Sequence, residues 1–234
     1  MASDSRARGR EILSKHFLLR HLTPPELDQI LAFARTRRYG TGEILFQKGD
    51  PGDGLLAILG GRIRISALSE DGREVVFNLL GPGDLFGEIA LLDGKERTAN
   101  ATAVEPSELL VIGRSDFMPF IQSRPDLCTR LLAVLCERVR WVSDLYEDAV
   151  FLNLPARLAK RLLRLAATNG ERTAAGTRIT IKLSQQELGN YMGTTRESIN
   201  KHLRAWQNDG IIAIERGHIV IREPETLELI TSAL

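Results

Sequence analysis

A carboxylate and a cation nine residues apart form the part of this sequence best suited to hold a ligand. Glu88 follows Gly87, and Arg97 precedes Thr98. A guanidinium can pair with two oxygens of one phosphate, and a carboxylate can accept a hydrogen bond from a sugar hydroxyl. Glycine lets a backbone N–H group approach a ligand closely. These residue types and their spacing predict a binding site for a charged sugar phosphate.

A second pattern, about a hundred residues further along, is typical of a helix-turn-helix. Ser184 and Glu187 have the spacing of a capping box, which begins a helix. Gly193 can end that helix in a left-handed conformation, and Thr195 can cap the next one. Two short helices joined by a tight turn that contains glycine are a motif found in DNA-binding proteins.

The second of these helices presents polar side chains away from the apolar face that the two helices share. Arg and Lys suit the acceptor pair of guanine, and Glu suits the amino group of cytosine. Two short strands, 211–214 and 219–221, follow as a wing whose turn can reach phosphates. The predicted DNA-binding residues are Ser184, Gln185, Thr195, Arg196, Glu197, Ser198, Asn200, Lys201, Arg216 and His218.

The residues ahead of this motif predict the elements that position the ligand site. Twelve of the 20 glycines lie from position 40 to position 94, among short alternating segments and turn signals. Many short strands at regular spacing predict an antiparallel β-roll or barrel. A helix over 24–34 precedes it, with Thr23 as its N-cap. The region 154–207 is predicted to be mostly helical and to end in the two strands of the wing.

One long helix is predicted between the β-roll and the helix-turn-helix. Uncharged residues recur there at steps of four and three from Cys128 to Ala149, which favours a dimeric coiled coil. A helix packed on its own barrel is the alternative. The charged residues Glu137, Arg138 and Arg140 lie off this seam, where we expect solvent. The predicted dimer seam is Leu132, Leu135, Val139, Val142 and Tyr146.

The composition is that of an ordinary soluble globular protein, with 43% hydrophobic and 26% charged residues in a chain of 234. The net charge is +1, but residues 151–234 carry 12 Lys and Arg against 8 Asp and Glu, and the rest carries 19 against 22. A mildly basic C-terminal half is compatible with nucleic-acid binding. We find no apolar run that could span a bilayer and no secretion signal, so we expect a cytoplasmic protein.

The positions of histidine and cysteine argue against an enzyme or a sensor built on a metal. No histidine lies between His21 and His202, so the barrel lacks the ligands of a cupin metal site or a haem. Two cysteines, Cys128 and Cys136, do not supply an iron–sulfur cluster. We therefore expect no catalytic residues, no metal and no covalent cofactor.

The order of elements resembles the catabolite activator protein (CRP/FNR) family of bacterial transcription regulators. Residues 86–99 resemble the phosphate-binding cassette of cyclic-nucleotide-binding domains, and 196–201 resemble the recognition-helix motif R-E-x-x-x-[RK]. The resemblance implies an α+β fold with three parts, an N-terminal antiparallel β-roll, a long dimerisation helix and a C-terminal winged helix-turn-helix. These would be a cyclic-nucleotide-binding domain over 1–122, the helix over 123–150 and a DNA-binding domain over 151–234.

The resemblance also implies roles for single residues of the ligand site. Gly87 and Ala90 would offer backbone N–H groups, Glu88 would bind the ribose 2′-hydroxyl, and Arg97 would bind the cyclic phosphate together with Thr98. The implied cyclic-nucleotide-binding residues are Gly87, Glu88, Ile89, Ala90, Arg97, Thr98, Val142 and Ser143.

The identity of the nucleotide stays open between two ligands. If 151–154 is the family's hinge, the positions that contact adenine in cAMP-binding members fall on Val142 and Ser143. Valine cannot hydrogen-bond the adenine amino group, and the run 97–100 also resembles cassettes that bind cGMP through the threonine. We expect cAMP first and cGMP as a second ligand.

The resemblance implies a homodimer that binds a palindromic TGTGA-like operator when the nucleotide is bound. Lys201 stands where the motif more often has arginine, and its single ammonium loosens discrimination there. The loop 171–178 lies where family members touch RNA polymerase, which is the further partner we expect. The alternative is a family regulator that acts without a nucleotide or with a different effector.

Overall fold

The computed structural model describes residues 2–15, 19 and 22–232. The chain divides into two compact units. The first comprises Met1–Leu68 and Phe77–Arg138, and the second comprises Ser69–Val76 and Val139–Leu234. The boundaries at 122 and 150 that the sequence predicts remain predictions.

The first unit is built around two antiparallel four-stranded sheets. The sheets have the strand orders β1–β8–β3–β6 and β2–β7–β4–β5. The predicted β-roll is therefore confirmed. Its strands are β1 (Arg35–Tyr39), β2 (Ile44–Phe46), β3 (Gly54–Gly60), β4 (Ile63–Leu68), β5 (Glu74–Leu80), β6 (Leu85–Phe86), β7 (Asn100–Ala103) and β8 (Ser107–Gly113). The division into units assigns the first three residues of β5 to the second unit.

The central strand β3 is buried on both faces, and its successive side chains belong alternately to two separate hydrophobic clusters. Leu56 and Ile58 belong to a cluster formed by residues of both sheets, which fills the roll. Leu55 and Ala57 belong to a second cluster, in which the sheet packs against helices. A continuous apolar run of this kind is expected for a strand covered on both sides.

The helices of the first unit cover the roll, and three of them, α1, α3 and α4, were not predicted. They are α1 (Ala2–Lys15), α2 (Pro24–Phe33), α3 (Glu88–Asp93), α4 (Arg114–Gln122) and the start of α5 (Pro125–Phe151). Helix α2 begins after Thr23, whose side chain forms a capping box with Glu26, as the predicted N-cap requires. Helix α1 is too polar, and helices α3 and α4 are too short, to give a clear helical period.

The long helix α5 has one buried face and one exposed apolar stripe. Leu127 and Leu131 are buried in the cluster that covers the roll, and Cys128 packs partly against it. Four of the predicted seam residues are instead 55–71% exposed in the single chain, namely Leu132, Val139, Val142 and Tyr146. The helix thus packs on its own roll and still leaves a stripe of apolar side chains without intramolecular cover.

In the described part of the chain, the second unit contains the end of α5, a four-stranded sheet of order β11–β12–β10–β9 and four further helices. Its elements are α6 (Leu154–Asn169), β9 (Gly170–Thr173), β10 (Gly176–Ile179), α7 (Gln185–Met192), α8 (Arg196–Asn208), β11 (Ile212–Glu215), β12 (His218–Ile221) and α9 (Pro224–Ser232). The core of the helix-turn-helix includes Leu188, Ile199 and Leu203, which are fully or almost fully buried.

The prediction of a mostly helical region that ends in the wing is wrong in two places. The hairpin β9–β10 interrupts the helices, and α9 follows the wing. All four residues of β9 are exposed, so the strand carries no apolar alternation that sequence could reveal. Among the described residues, none of the helices is long and apolar enough to cross a membrane.

Candidate functional site

Gly87 forms the turn that joins β6 to α3, and its conformation requires glycine. Its φ is 84° and its ψ is 8°, which is the left-handed region. A Cβ atom at this position would lie 2.5 Å from Nη1 of Arg97 and 3.0 Å from the carbonyl oxygen of Gly54. The backbone can therefore approach the arginine only because position 87 has no side chain.

Arg97 is a buried cation with few polar partners. The residue is 6% exposed. Its Nη1 donates to the carbonyl oxygen of Gly87 at 3.1 Å, and its Nη2 lies 3.9 Å from Oδ1 of Asp53. Its Nε is buried and has no hydrogen-bond partner in the described part of the chain. A buried donor without a partner is costly, so this site is built to receive an acceptor.

The surroundings of Arg97 also set its electrostatics. Burial lowers the pKa of its guanidinium, while the carboxylates of Asp53, Glu88 and Asp50 raise it. An arginine in a protein stays protonated, so the consequence is a desolvated positive charge. A phosphate anion is the ligand that such a charge favours.

The loop between β2 and β3 lies directly against this segment. The backbone N–H of Arg97 donates to the carbonyl oxygen of Asp50 at 2.8 Å, and that of Gly49 donates to the carbonyl oxygen of Arg97 at 2.9 Å. A Cβ atom on Gly52 would lie 2.0 Å from Cβ of Ala90. The loop and α3 therefore touch at the level of the backbone, which fixes the position of Arg97.

Glu88 is the first residue of α3, and its carboxylate is paired with the long helix. The residue is 7% exposed, and its Oε1 accepts a hydrogen bond from Nε of Arg138 at 3.2 Å. The expectation that Arg138 is a solvated position is therefore wrong. Arg138 lies seven residues after the buried Leu131, which is two helical turns, so both residues are on the helix face that packs against the roll. This spacing could have predicted that Arg138 is not fully solvated.

The remaining predicted ligand residues are placed as follows. Thr98 and Ile89 are exposed beside Arg97 and Glu88 on the same segment, and Ala90 is buried. Val142 and Ser143 lie on the part of α5 that belongs to the second unit. The hydroxyl of Ser143 donates to the carbonyl oxygen of Val139 at 3.1 Å, which is a bond within the helix.

The helix-turn-helix has the caps that the sequence predicts. The hydroxyl of Ser184 accepts from the backbone N–H of Glu187 at 3.1 Å, and the Glu187 carboxylate accepts from the backbone N–H of Ser184 at 2.7 Å. Gly193 ends α7 with a φ of 62°. Thr195 caps α8 by accepting from the backbone N–H of Ser198 at 3.2 Å. All three predictions are confirmed.

The turn also depends on a glycine that the sequence did not single out. A Cβ atom on Gly189 would lie 2.8 Å from the carbonyl oxygen of Thr194. The backbone N–H of Thr194 donates to the carbonyl oxygen of Gly189 at 2.9 Å. A side chain at position 189 would therefore push the two helices apart. The sequence feature that could have identified Gly189 is its spacing from Gly193. The two glycines lie one helical turn apart, where the helix ends at a tight turn.

The recognition helix α8 offers a polar outer face. Arg196, Glu197 and Lys201 are exposed, and Ser198 and Asn200 are half-buried. Oδ1 of Asn200 accepts a hydrogen bond from Nε2 of Gln185 at 3.0 Å, so these two side chains hold each other. The side chains of Arg196, Glu197 and Lys201, which have the charges suited to reading base edges, are therefore exposed to solvent.

Two domain descriptions match this chain in the same order as the two sites. Residues 36–124 match the cyclic nucleotide-binding domain, and residues 156–230 match the Crp-like helix-turn-helix domain. A CRP-like cAMP-activated global transcriptional regulator of Mycobacterium tuberculosis is 31% identical over 217 residues, which cover 93% of this chain and 97% of that protein. This chain belongs to the CRP/FNR family of transcription regulators. It is a DNA-binding regulator with a cyclic nucleotide-binding domain.

Other CRP/FNR proteins are similar over most of the chain. The cyclic AMP receptor protein of Thermus thermophilus is 35% identical over 218 residues, 93% of this chain and 97% of the relative. The cAMP-activated global transcriptional regulator CRP of Escherichia coli is 28% identical over 200 residues, 85% and 95% of the two chains. The solved structure of FixK2 from Bradyrhizobium japonicum has the same fold, with a TM-score of 0.76, 22% identity and coverage of 86% and 98%.

The wing of this CRP/FNR regulator is a tight hairpin between β11 and β12. Arg216 and Gly217 have φ values of 50° and 83°, as a two-residue hairpin turn requires. The Arg216 side chain is exposed at the tip. Nδ1 of His218 donates to the carbonyl oxygen of Ile179 at 3.0 Å. The half-buried ring of His218 therefore also ties the wing to β10.

Helix α7 of the helix-turn-helix is held to α6 by a contact that sequence reasoning missed. Cζ of Arg161 lies 4.1 Å from the ring centroid of Tyr191, which is buried on α7. Burial lowers the pKa of Arg161, and the tyrosine ring stabilises the cation. Arg161 and Tyr191 lie on separate helices 30 positions apart, so periodicity cannot reveal the pair.

Proposed function

We propose that this regulator is a homodimer that binds cAMP and, in that state, a palindromic TGTGA-like operator. Glu88 binds the ribose 2′-hydroxyl, and Arg97 binds the cyclic phosphate with help from Thr98. Backbone N–H groups of Gly87 and Ala90 face the same ligand. The names of the relatives from Mycobacterium tuberculosis and Escherichia coli, both cAMP-activated regulators, support this ligand.

One observation carries the proposal. Arg97 is 6% exposed, and its buried Nε has no hydrogen-bond partner in the described part of the chain. The nearest carboxylate in an ion pair with it, Asp53, is 3.9 Å away and almost fully exposed. A singly charged cyclic phosphate would satisfy the free N–H groups and neutralise the charge.

The base is recognised less specifically than in a strict cAMP receptor. The family resemblance assigns Val142 to a position that contacts adenine in cAMP-binding members, and a valine side chain has no polar atom. Thr98 is exposed beside Arg97, and the run 97–100 resembles cassettes in which the threonine contacts guanine. We infer that cGMP is a second, weaker ligand.

The exposed stripe of α5 supports the homodimer. Apolar side chains at steps of four and three, uncovered in the single chain, are what a two-stranded coiled coil buries. In the dimer, nucleotide binding shifts the population towards the state in which two recognition helices stand about 34 Å apart, one turn of DNA. RNA polymerase is the further partner we propose, the action is in the cytoplasm, and the protein has no enzymatic activity.

The test is the fluorescence anisotropy of a labelled TGTGA-type palindrome at fixed salt, because phosphate contacts make DNA affinity salt-dependent. The samples contain no nucleotide, cAMP or cGMP. We expect tight binding with cAMP, weaker binding with cGMP and little without a nucleotide. Equal binding in all three would leave the DNA-binding activity intact and would identify a regulator that acts without a nucleotide or with another effector.

The matched variant is Arg97→Ala. It removes the phosphate partner, so we expect nucleotide-dependent DNA binding to disappear while the protein stays folded. A scrambled DNA of equal length measures the non-specific part of the binding. Normal activation of Arg97→Ala by cAMP would show that the nucleotide does not bind at this segment.

A further inference from the structure

Phe46 contacts both ends of the segment that carries the phosphate-binding arginine. It is the last residue of β2, and its ring is half-buried. The ring centroid lies 4.3 Å from Cζ of Arg97 and 6.0 Å from the ring centroid of Phe86, with an angle of 38° between the two rings. Phe86 immediately precedes Gly87. Phe46 therefore contacts a side chain at each end of the segment, Phe86 at its start and Arg97 at its end.

The ring of Phe46 is one of few groups that stabilise the buried cation of Arg97. The only hydrogen bond that the Arg97 side chain makes in the described part of the chain goes to the carbonyl oxygen of Gly87. Its ion pair with Asp53 is long, and Asp53 is 95% exposed, so solvent screens that charge. A cation held over an aromatic ring gains more when both are removed from water.

An aromatic ring has a property here that a carboxylate lacks. A carboxylate in hydrogen-bond contact would hold the guanidinium but would also occupy its N–H groups and repel an incoming phosphate. The face of a ring attracts the cation through its quadrupole and carries no net charge. Arg97 can thus be held in place before the ligand arrives, with Nε and Nη2 still available.

We propose that Phe46 is a positioning residue for nucleotide binding, which holds the guanidinium of Arg97 so that its N–H groups meet the phosphate. This inference rests on the proposed function, because it needs Arg97 to bind a phosphate. Strand β2 contributes no polar side chain to the proposed ligand site. Through Phe46 it nevertheless affects the affinity for the nucleotide. The ring acts through Arg97 and need not touch the nucleotide.

The experiment compares four replacements of Phe46 in the full chain by isothermal titration with cAMP. Phe46→Leu and Phe46→Met remove the ring, and we expect about 5–30-fold weaker binding, the range of a partly to fully desolvated cation–π contact. Phe46→Tyr and Phe46→Trp keep an aromatic face, and we expect binding within about 3-fold of the unchanged protein. Thermal unfolding of each variant confirms that it is folded.

Phe77→Leu is the matched control. Phe77 is a half-buried phenylalanine of β5, and no contact of its ring with a cation occurs in the described part of the chain. We expect its replacement to leave the affinity for cAMP unchanged. An equal loss in both leucine variants would mean that the roll as a whole, and not the ring over Arg97, determines the affinity.

The outcomes separate this inference from the proposed function. If the unchanged protein binds neither cAMP nor cGMP, the proposed function fails and the role of Phe46 fails with it. If the unchanged protein binds and Phe46→Leu binds equally well, only the role of Phe46 is overturned. If Met keeps the affinity and Trp loses it, the site depends on volume and not on the aromatic face, which also overturns the inference.

Discussion

Arg138 on the long helix donates a hydrogen bond from Nε to the Glu88 carboxylate at 3.2 Å, across 50 positions of sequence. Glu88 begins α3, and Arg138 lies in the part of α5 that packs on the roll. Nη2 of Arg138 is also 3.5 Å from the carbonyl oxygen of Leu85. The guanidinium therefore fastens the long helix to both sides of the turn at Gly87.

Arg138→Ala should lower the free energy of unfolding by about 1–2 kcal/mol, between the values for exposed and buried ion pairs, because the arginine is one-third exposed. The loss arises because a nearly buried carboxylate would remain without its partner. Urea unfolding measures it. Arg140→Ala on the same helix is the control, with an expected change within about 0.5 kcal/mol. Equal changes in the two variants would mean that the ion pair adds no stability.

Gly87→Ala should abolish nucleotide binding while a similar change nearby does not. The added methyl group would lie 2.5 Å from Nη1 of Arg97, so the guanidinium must move. Gly83→Ala is the control, because Gly83 has a φ of 98° but nothing within 4 Å of its added Cβ atom. Both variants should lose about 1–2 kcal/mol of stability through backbone strain. Titration with cAMP separates them, and equal affinities would contradict a role of this turn in the site.

Val139→Lys should convert the proposed dimer into a monomer at micromolar concentrations. Val139 is 66% exposed in the single chain and lies in the middle of the apolar stripe. A charge there would be buried without a partner in a coiled coil. Sedimentation velocity measures the association state. Ala133→Lys places the same charge at an exposed position off the stripe and should remain dimeric. A dimer that survives both changes would have its interface elsewhere.

Arg196→Ala should weaken operator binding by about 1–3 kcal/mol and relax specificity at one base pair. Arg196 is exposed in the first turn of the recognition helix, where side chains reach base edges. Arg216→Ala at the tip of the wing provides the contrast, because a lost phosphate contact weakens all sequences alike. Anisotropy with a set of single-base variants of the operator distinguishes the two. A uniform loss for Arg196→Ala would make Arg196 a phosphate contact.

The stability of the second unit should fall when the pH drops below 6.5. Burial and then the neighbouring charge of Lys201 hold the pKa of His202 below its ordinary value of 6.5. The folded chain binds fewer protons there than the unfolded chain, so the contribution is complete above pH 6.5 and is lost as the pH falls through the lower folded pKa. Urea unfolding between pH 5 and pH 7, followed by tryptophan fluorescence, measures this. His202→Gln should flatten the dependence, and an unchanged slope would exclude His202 as its source.

The features that were predicted correctly from the sequence depend on residues that lie close together along the chain. Thr23, Ser184, Gly193 and Thr195 act on backbone groups within one helical turn, so residue type and spacing are enough to identify them. The apolar stripe of α5 also depends only on the spacing of residues within one helix. The type and order of the main elements followed from such signals, and so did the two segments that carry the candidate sites.

The features that sequence missed depend on contacts between distant elements. Arg138 meets Glu88, and Phe46 meets Arg97, only after the roll has closed. No periodicity within one element records such a pair. The hairpin β9–β10 was missed for a different reason. All side chains of β9 are exposed, so β9 has no apolar pattern, and it forms through its pairing with β10.

The contact between Gly52 and Ala90 limits how this gene can change. A methyl group on Gly52 would overlap the one that Ala90 already has, at 2.0 Å, and would also lie 2.7 Å from the carbonyl oxygen of Lys95. Position 52 is therefore restricted to glycine, because any other residue would bring a Cβ atom into this overlap. We expect substitutions there to be selected against in every lineage that keeps the loop packed on α3.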